Sequence, residues 1–407
     1  MIIFKLNTFP NYSETFIVNN IIYTLKKRLS ILIFVNKFLG ISNSSQKEKL
    51  KQININEQLI TPKSISNYTL KEILLLFVFI FNPKILIRIV SKHLLFSKNG
   101  LKIILKIFEH RIFMKLYICH VHYNYALDTL LEMDKFNCIK SKFIITFHGH
   151  DVFIENSKSF KKKYSKFYKK HVKYVTVNSD YLKKKIIELR VSESIIKIIP
   201  IGIDINFFKG AKKKLNNKKT IEILSIGRLV QLKGHVYGIQ AVSELVKDGY
   251  NINYTIIGEG KEAKSLNNLI NKLKLKDNIK LVGKKSQLEI KYYLDISDIF
   301  LMPSTYDNKN KRREAFGLSS IEAQAMGVPV VGFNSGGFPE TILNYKTGFI
   351  VEDRNSKAMA NKIKYLINNP NIYNNFSIAC IKHANKFDNQ YTTEKYVRIY
   401  KELLLNP

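Results

Sequence analysis

Cysteine is scarce in these 407 residues: Cys119, Cys138 and Cys380 are the only three. Their odd number and the lack of any C-x-x-C pair argue against a disulfide framework or a structural zinc site, and fit a reducing cytoplasm. Long apolar runs are missing as well. The longest, Ile73 to Phe81, has nine residues and is followed by Pro83, whereas a membrane span needs about 20. The opening segment, Met1 to Pro10, is too short an apolar run for a signal peptide and reads as a first strand. No internal repeat is visible. Acidic residues are few: 32 Asp+Glu stand against 66 Lys+Arg, a net charge of +34.

That excess is spread along the chain and is heavier in the first half, where residues 1–200 carry 34 Lys+Arg against 13 Asp+Glu. Charge of this kind suits nucleic acid or an anionic membrane surface. It also follows from a chain crowded with Lys, Ile, Asn, Phe and Tyr, the residues of AT-rich codons. Hydrophobic residues at 45% and charged residues at 24% describe a folded protein, and the length suggests two domains of about 200 residues.

The second half alternates short apolar runs with helical stretches. Ile221–Ile226 ends in Gly227-Arg228, Tyr254–Ile257 in Gly258, Ile279–Val282 in Gly283 and Ile299–Met302 in Pro303; Val328–Val331 follows a helix near Gly317–Met326. This is the grammar of a parallel doubly wound sheet, which binds ligands beyond the carboxyl ends of its strands. The first half repeats it more loosely, with candidate strands Ile2–Leu6, Ile31–Val35, Leu116–His120, Phe143–Phe147, Tyr174–Val177 and Ile196–Pro200. The reading is α/β: a domain over 1–205, a second over 206–385 and a tail helix over 386–407 packing back towards the first, with a cleft between the two domains. Leu70–Phe81 and Asn99–Phe113 mix apolar with basic residues. They suit a surface docked on anionic lipid or, the preferred reading, helices on the N-terminal sheet with wet lysines.

Two constellations carry chemistry. In Glu314-Ala-Phe-Gly-Leu-Ser-Ser-Ile-Glu322, two carboxylates flank a loop-to-helix junction. Its free amides at Phe316, Gly317 and Leu318 are ready for an anionic group. In Gly227-Arg228-Leu-Val-Gln-Leu-Lys233-Gly234, an Arg and a Lys between a strand and a helix suit a diphosphate. His148, after a strand end and beside Gly149, is a further candidate; His150 and His122 are weaker ones.

Together with Gly258-Glu259-Gly260, Gly336-Gly337-Phe338-Pro339-Glu340, Phe9 to Ile17, Thr146-Phe-His-Gly-His-Asp151 and Pro200 to Asp204, these motifs resemble the retaining glycosyltransferase family 4, of the two-Rossmann-domain GT-B type. The first-half motifs are similar to its colanic acid and exopolysaccharide branch. The resemblance implies a metal-independent transfer of a hexose-type sugar from a UDP- or GDP-linked donor to a glycan or lipid-linked glycan. Arg228 and Lys233 would hold the diphosphate, Glu322 the ribose and Glu314 the sugar. Phe316 to Leu318 would support sugar and phosphate, and Gly258, Gly260 and Gly283 would border the base. His148, with Asp151 nearby, would approach the donor sugar, and Ser13 and Glu14 would face the acceptor. No cofactor, no nucleic acid and a cytoplasmic place, with possible contact to anionic membrane, are the matching expectations. A GT-B epimerase and a basic nucleic-acid-binding protein are the alternatives. The chain departs from the pattern at Ala315, Ile201, the Ser-Glu-Thr segment and the basic loop 307–313.

Overall fold

The computed structural model describes residues 1–12, 14–62, 69–80, 100–154, 156–215 and 220–405. The chain divides into two compact units. One comprises Met1–Thr176, Ile187–Lys197 and the chain from Tyr396 on; the other comprises Val177–Ile186 and Ile198–Lys395.

The first unit is built on a seven-stranded sheet in the order β3-β2-β1-β4-β5-β6-β7. Its strands are β1 Ile2–Phe9, β2 Ile31–Phe38, β3 Leu59–Ile60, β4 Ile118–His122, β5 Lys142–Thr146, β6 Val172–Val177 and β7 Ile196–Ile198. The pairings of β1 with β2 and β4, and of β4 with β5, are parallel. Helices Leu70–Ile80 and Gly100–Glu109 fall within the two basic-apolar stretches; residues 81–99 of that region lie outside the described ones. Among the described residues no helix is long and apolar enough to cross a membrane.

The second unit carries a six-stranded sheet in the order β10-β9-β8-β11-β12-β13. Its strands are β8 Ile221–Ile226, β9 Ile252–Ile257, β10 Ile279–Leu281, β11 Ile299–Met302, β12 Val330–Phe333 and β13 Gly348–Val351, and all of its pairings are parallel. Both faces are buried, as a parallel sheet requires. Along β11, Ile299 and Leu301 join a core shared with helices His235–Lys247 and Ser356–Asn368. Phe300 and Met302 point the other way, into a core with Ile321, Ala325 and Phe338. The two-residue period of a strand thus feeds two hydrophobic layers.

Both strand orders reverse direction beside the first strand, between β1 and β4 and between β8 and β11. Loops leaving those strand ends splay apart and open a crevice. The sequence reading needs three corrections. Strands β3 and β13 were not expected, because two residues and a Gly-Phe-Ile-Val run are too short to stand out. β4 is displaced by two residues from Leu116–His120, because Ile118 rather than Leu116 pairs with β1, so His122 ends the strand instead of following it. β12 is likewise displaced by two residues, from Val328–Val331 to Val330–Phe333; the expected tail helix is present as Asn389–Leu405, after helix Pro370–Ala384 and a 3-10 turn.

Ile256 lies in β9 with no exposed surface. Ile256→Ala is expected to cost about 2–5 kcal/mol, read as a lower urea midpoint; an unchanged midpoint would contradict this account of the core.

Candidate active site

In the second unit the strands on either side of the sheet reversal deliver two oppositely charged groups. Lys233, in the 3-10 turn Gln231–Lys233 that follows β8, places its Nζ 2.5 Å from Oε2 of Glu314. Their side chains are only 18% and 13% exposed. Gly227 makes this possible: a Cβ there would lie 3.1 Å from Cδ and 3.2 Å from Cγ of Lys233, so the lysine stem lies over a bare backbone. Gly258, in turn, could carry no side chain, since its Cβ would stand 2.0 Å from the Gly227 carbonyl.

Burial raises the Glu314 carboxyl. The Lys233 ammonium, the Phe316 amide and the Ser304 hydroxyl outweigh it and hold the group below the usual carboxylate range. Glu314 is therefore an anion at neutral pH. The loop that carries it is braced from behind. Gly337 donates its amide to the Glu314 carbonyl at 2.8 Å, and Ser179 donates its hydroxyl to the Ala315 carbonyl at 2.8 Å. Side chains at Gly336 or Gly337 would collide with the carbonyls of Glu314 and Ala315 at 2.0 and 2.1 Å. Glu340 of the same glycine motif caps the amides of Asp180 and Tyr181.

Glu322 lies on helix Leu318–Ala325. Its carboxyl is partly buried, has no partner among the described residues, and is pushed up by burial to about 8. It is a carboxyl prepared to meet hydroxyl donors. Gly317 begins the helix at φ +98°, a conformation that glycine adopts without strain. The Phe316 amide, one of those expected to meet a phosphate, is already taken by Glu314. The amides of Gly317, Leu318 and Ser319 donate to no backbone carbonyl among the described residues. The Phe316 ring itself is buried in the core. Arg228 is exposed at the end of β8 and is free to meet an anion. Gly260 packs its bare backbone on the Leu229 carbonyl, and the Gly283 carbonyl accepts the Gly258 amide at 2.9 Å.

Both arginines of the basic loop 307–313 meet carboxylates. Arg312 pairs with Asp307, and Arg313 pairs with Asp353 at 2.5 Å while its guanidinium rests 5.2 Å from the centre of the Tyr306 ring.

The first unit holds the remaining candidates, except Ser13, which lies outside the described residues. Glu14 accepts the Tyr123 hydroxyl at 2.8 Å and the Asn11 amide at 2.9 Å. Burial raises its carboxyl against these two donors. His148 packs on Phe16 and Tyr123. Asp151 is 3% exposed and accepts the amides of Asn124, His148 and Gly149. Even so, burial lifts it to about 6. Its place is to hold the His148 loop, whose Gly149 has φ +122°. Tyr123, Ser179, Gly336 and Gly337 escaped the sequence reading of the site; only the glycine motif left a trace, as a pattern without a role.

A model described as Glycosyltransferase Family 4 matches residues 77–207, and one described as Glycosyl transferases group 1 matches residues 207–383. The chain belongs to the family 4 glycosyltransferases. It is 31% identical over 241 residues to the amylovoran biosynthesis glycosyltransferase AmsK of Erwinia amylovora, covering 59% of this chain and 58% of that protein. It is 27% identical over 243 residues to the putative colanic acid biosynthesis glycosyltransferase WcaL of Escherichia coli, covering 60% and 59%. The matched stretch thus spans under two thirds of either relative. A crystal structure of a glycosyltransferase from Rickettsia africae aligns over 100% of this chain and 99% of its own, at 24% identity and a TM-score of 0.71. Anabaena Alr3699/HepE in complex with UDP aligns over 98% and 99%, at 16% identity and a TM-score of 0.74. The shared fold is GT-B, with two Rossmann-like domains.

Because the folded Glu314 carboxyl lies below its unfolded value, the ion pair adds stability above the ordinary carboxylate pKa and loses it as pH falls through the folded value. Lys233→Met leaves Glu314 buried without its cation. Its stability deficit against the native chain is expected to exceed the deficit at pH 4 by more than about 1 kcal/mol when measured at pH 7. Urea unfolding at the two pH values measures this, and equal deficits would reject the coupling.

Proposed function

We propose that this chain is a retaining, metal-independent glycosyltransferase. In this reading it moves a hexose-type sugar from a UDP- or GDP-linked donor to a glycan or lipid-linked glycan during surface polysaccharide synthesis, at the cytoplasmic face of the membrane. The observation that carries it is the Lys233–Glu314 pair at the sheet reversal, with Arg228 exposed beside it on the same loop. The biosynthetic roles of AmsK and WcaL, and the UDP bound by Alr3699/HepE, point the same way.

The chemical difficulty is the departing nucleoside diphosphate. As the bond from the sugar's anomeric carbon to the phosphate oxygen breaks, the electron pair leaves with the phosphate. Arg228, Lys233 and the free amides at Gly317 and Leu318 meet that charge. Each fixed donor of this kind lowers a barrier by about 3 kcal/mol. The acceptor oxygen bonds to the anomeric carbon on the face the phosphate leaves, and its proton passes to the departing phosphate oxygen, so configuration is kept. Glu314 orients the sugar hydroxyls through its free lone pairs, and Glu322 accepts the ribose hydroxyls. The family resemblance assigns His148 to the donor sugar and Glu14 to the acceptor. No metal enters this scheme, because the positive groups are the protein's own.

Screening sugar nucleotides by thermal shift identifies the donor, since a ligand bound only by the folded chain raises Tm. Glu322→Ala is expected to weaken UDP or GDP binding. Arg228→Ala is expected to cut turnover about a hundredfold or more while EDTA leaves it intact. Native nucleotide affinity in the first variant, native turnover in the second, or a strict magnesium requirement would each overturn its part of the reading.

A further inference from the structure

His122 is buried at 2% exposure at the end of β4, and its Nδ1 lies 2.9 Å from Nε2 of His148. The two rings are nearly parallel, with 9° between their planes and 5.2 Å between their centres. Behind His122, the ring of His120 stacks at 4.3 Å. His120 is itself fixed at both nitrogens: Nδ1 to the Tyr400 hydroxyl at 2.6 Å and Nε2 to the Thr146 hydroxyl at 2.6 Å. Phe4 closes the column on another side, stacked on His122 at 5.8 Å. The result is a rigid file of three imidazoles whose last member, His148, is the one the sequence places in the active site.

We propose that His122 is a positioning residue that sets the tautomer and ring plane of His148. Burial keeps both rings neutral by lowering their pKa, His122 to about 3. A single N–H therefore lies between His122 Nδ1 and His148 Nε2. If His122 supplies it, His148 carries its own proton on Nδ1; if His148 supplies it, that nitrogen is bare and His122 Nε2 is protonated. The two outer nitrogens, His148 Nδ1 and His122 Nε2, are both buried without a partner among the described residues. The shared bond thus locks the tautomer of His148 to that of His122, and among the described residues no other hydrogen bond to a ring nitrogen of either competes with it. Asp151 does not decide it, because it bonds the His148 amide rather than the ring. Glu14 does not decide it either, because its oxygens are held by Tyr123 and Asn11.

That His148 serves the reaction rests on the function proposed above; its coupling to His122 does not. The test is long-range nitrogen–proton NMR on the full chain with nitrogen-15 histidine, His148 being assigned by the signals lost in His148→Phe. In the native chain His148 is expected to show one neutral tautomer, unmoved between about pH 6 and 8. His122→Phe fills the space without the bond and is expected to give His148 mixed tautomer signals. His122→Asn, whose amide reaches the Nδ1 position, is expected to restore a single tautomer. Native His148 signals in His122→Phe would overturn the proposal, as would mixed signals in folded His122→Asn. With the sugar nucleotide giving the largest thermal shift as donor, His122→Phe is expected to lower kcat about tenfold or more with KM nearly unchanged, and His122→Asn to recover it. Native turnover in His148→Phe would sink the active-site reading of His148 and leave the spectroscopic coupling standing.

Discussion

Two opposite charges buried side by side constrain this molecule more than any other contact. Neither the Lys233 ammonium nor the Glu314 carboxylate would be tolerated alone at their low exposure, since a buried charge without a partner costs several kcal/mol. Together, 2.5 Å apart, they fix the loop after β8 to the loop after β11. The surrounding sequence follows from that requirement. Gly227 gives the lysine stem its bed, Gly258 lets the next strand end close under Gly227, and Gly336 and Gly337 let a third loop lean on the Glu314 backbone. A lysine placed this way is also aimed at a fixed point, which is what a site for a leaving phosphate needs.

The pair cancels its own charge, so the unpaired polar groups of the site are those that surround it. Arg228 is exposed, and the amides of Gly317 and Leu318, at a helix start, donate to no backbone carbonyl among the described residues. Glu322 contributes the opposite property, a carboxyl that burial without a partner among the described residues pushes up to about 8. Two carboxyls eight residues apart thus behave differently because only one of them has a cation. In the first unit the polarity is spent inward. Glu14, Asp151 and the histidine file hold one another and their loops in place.

Much of this was legible in the residues. Apolar runs ending in glycine or proline placed most of the strands, since a parallel strand is buried on both faces and shows as an uninterrupted apolar stretch. Arg228 stood out because it follows such a run, and Lys233, Glu314 and Glu322 because they lie in the loop-to-helix junctions that come after. The sequence did not reveal partnership. Nothing in the chain says that Lys233 meets Glu314, that Asp151 binds amides, or that Tyr123 reaches Glu14, because those contacts join segments up to about a hundred residues apart through the fold. Strand β4 was misplaced by two residues because Leu116 is as apolar as Ile118 and only pairing with β1 separates them. Ser179 left no signal, being a common residue that acts through one hydroxyl.

The central claim is that the loops after β8 and β11 grip a nucleoside diphosphate. A crystal structure of the chain with UDP or GDP tests it most directly. The account predicts the diphosphate within hydrogen-bonding distance of Arg228, Lys233 and the amides at the start of helix Leu318–Ala325, with the ribose hydroxyls on Glu322. A nucleotide bound elsewhere, or one whose phosphates avoid Lys233, would contradict it.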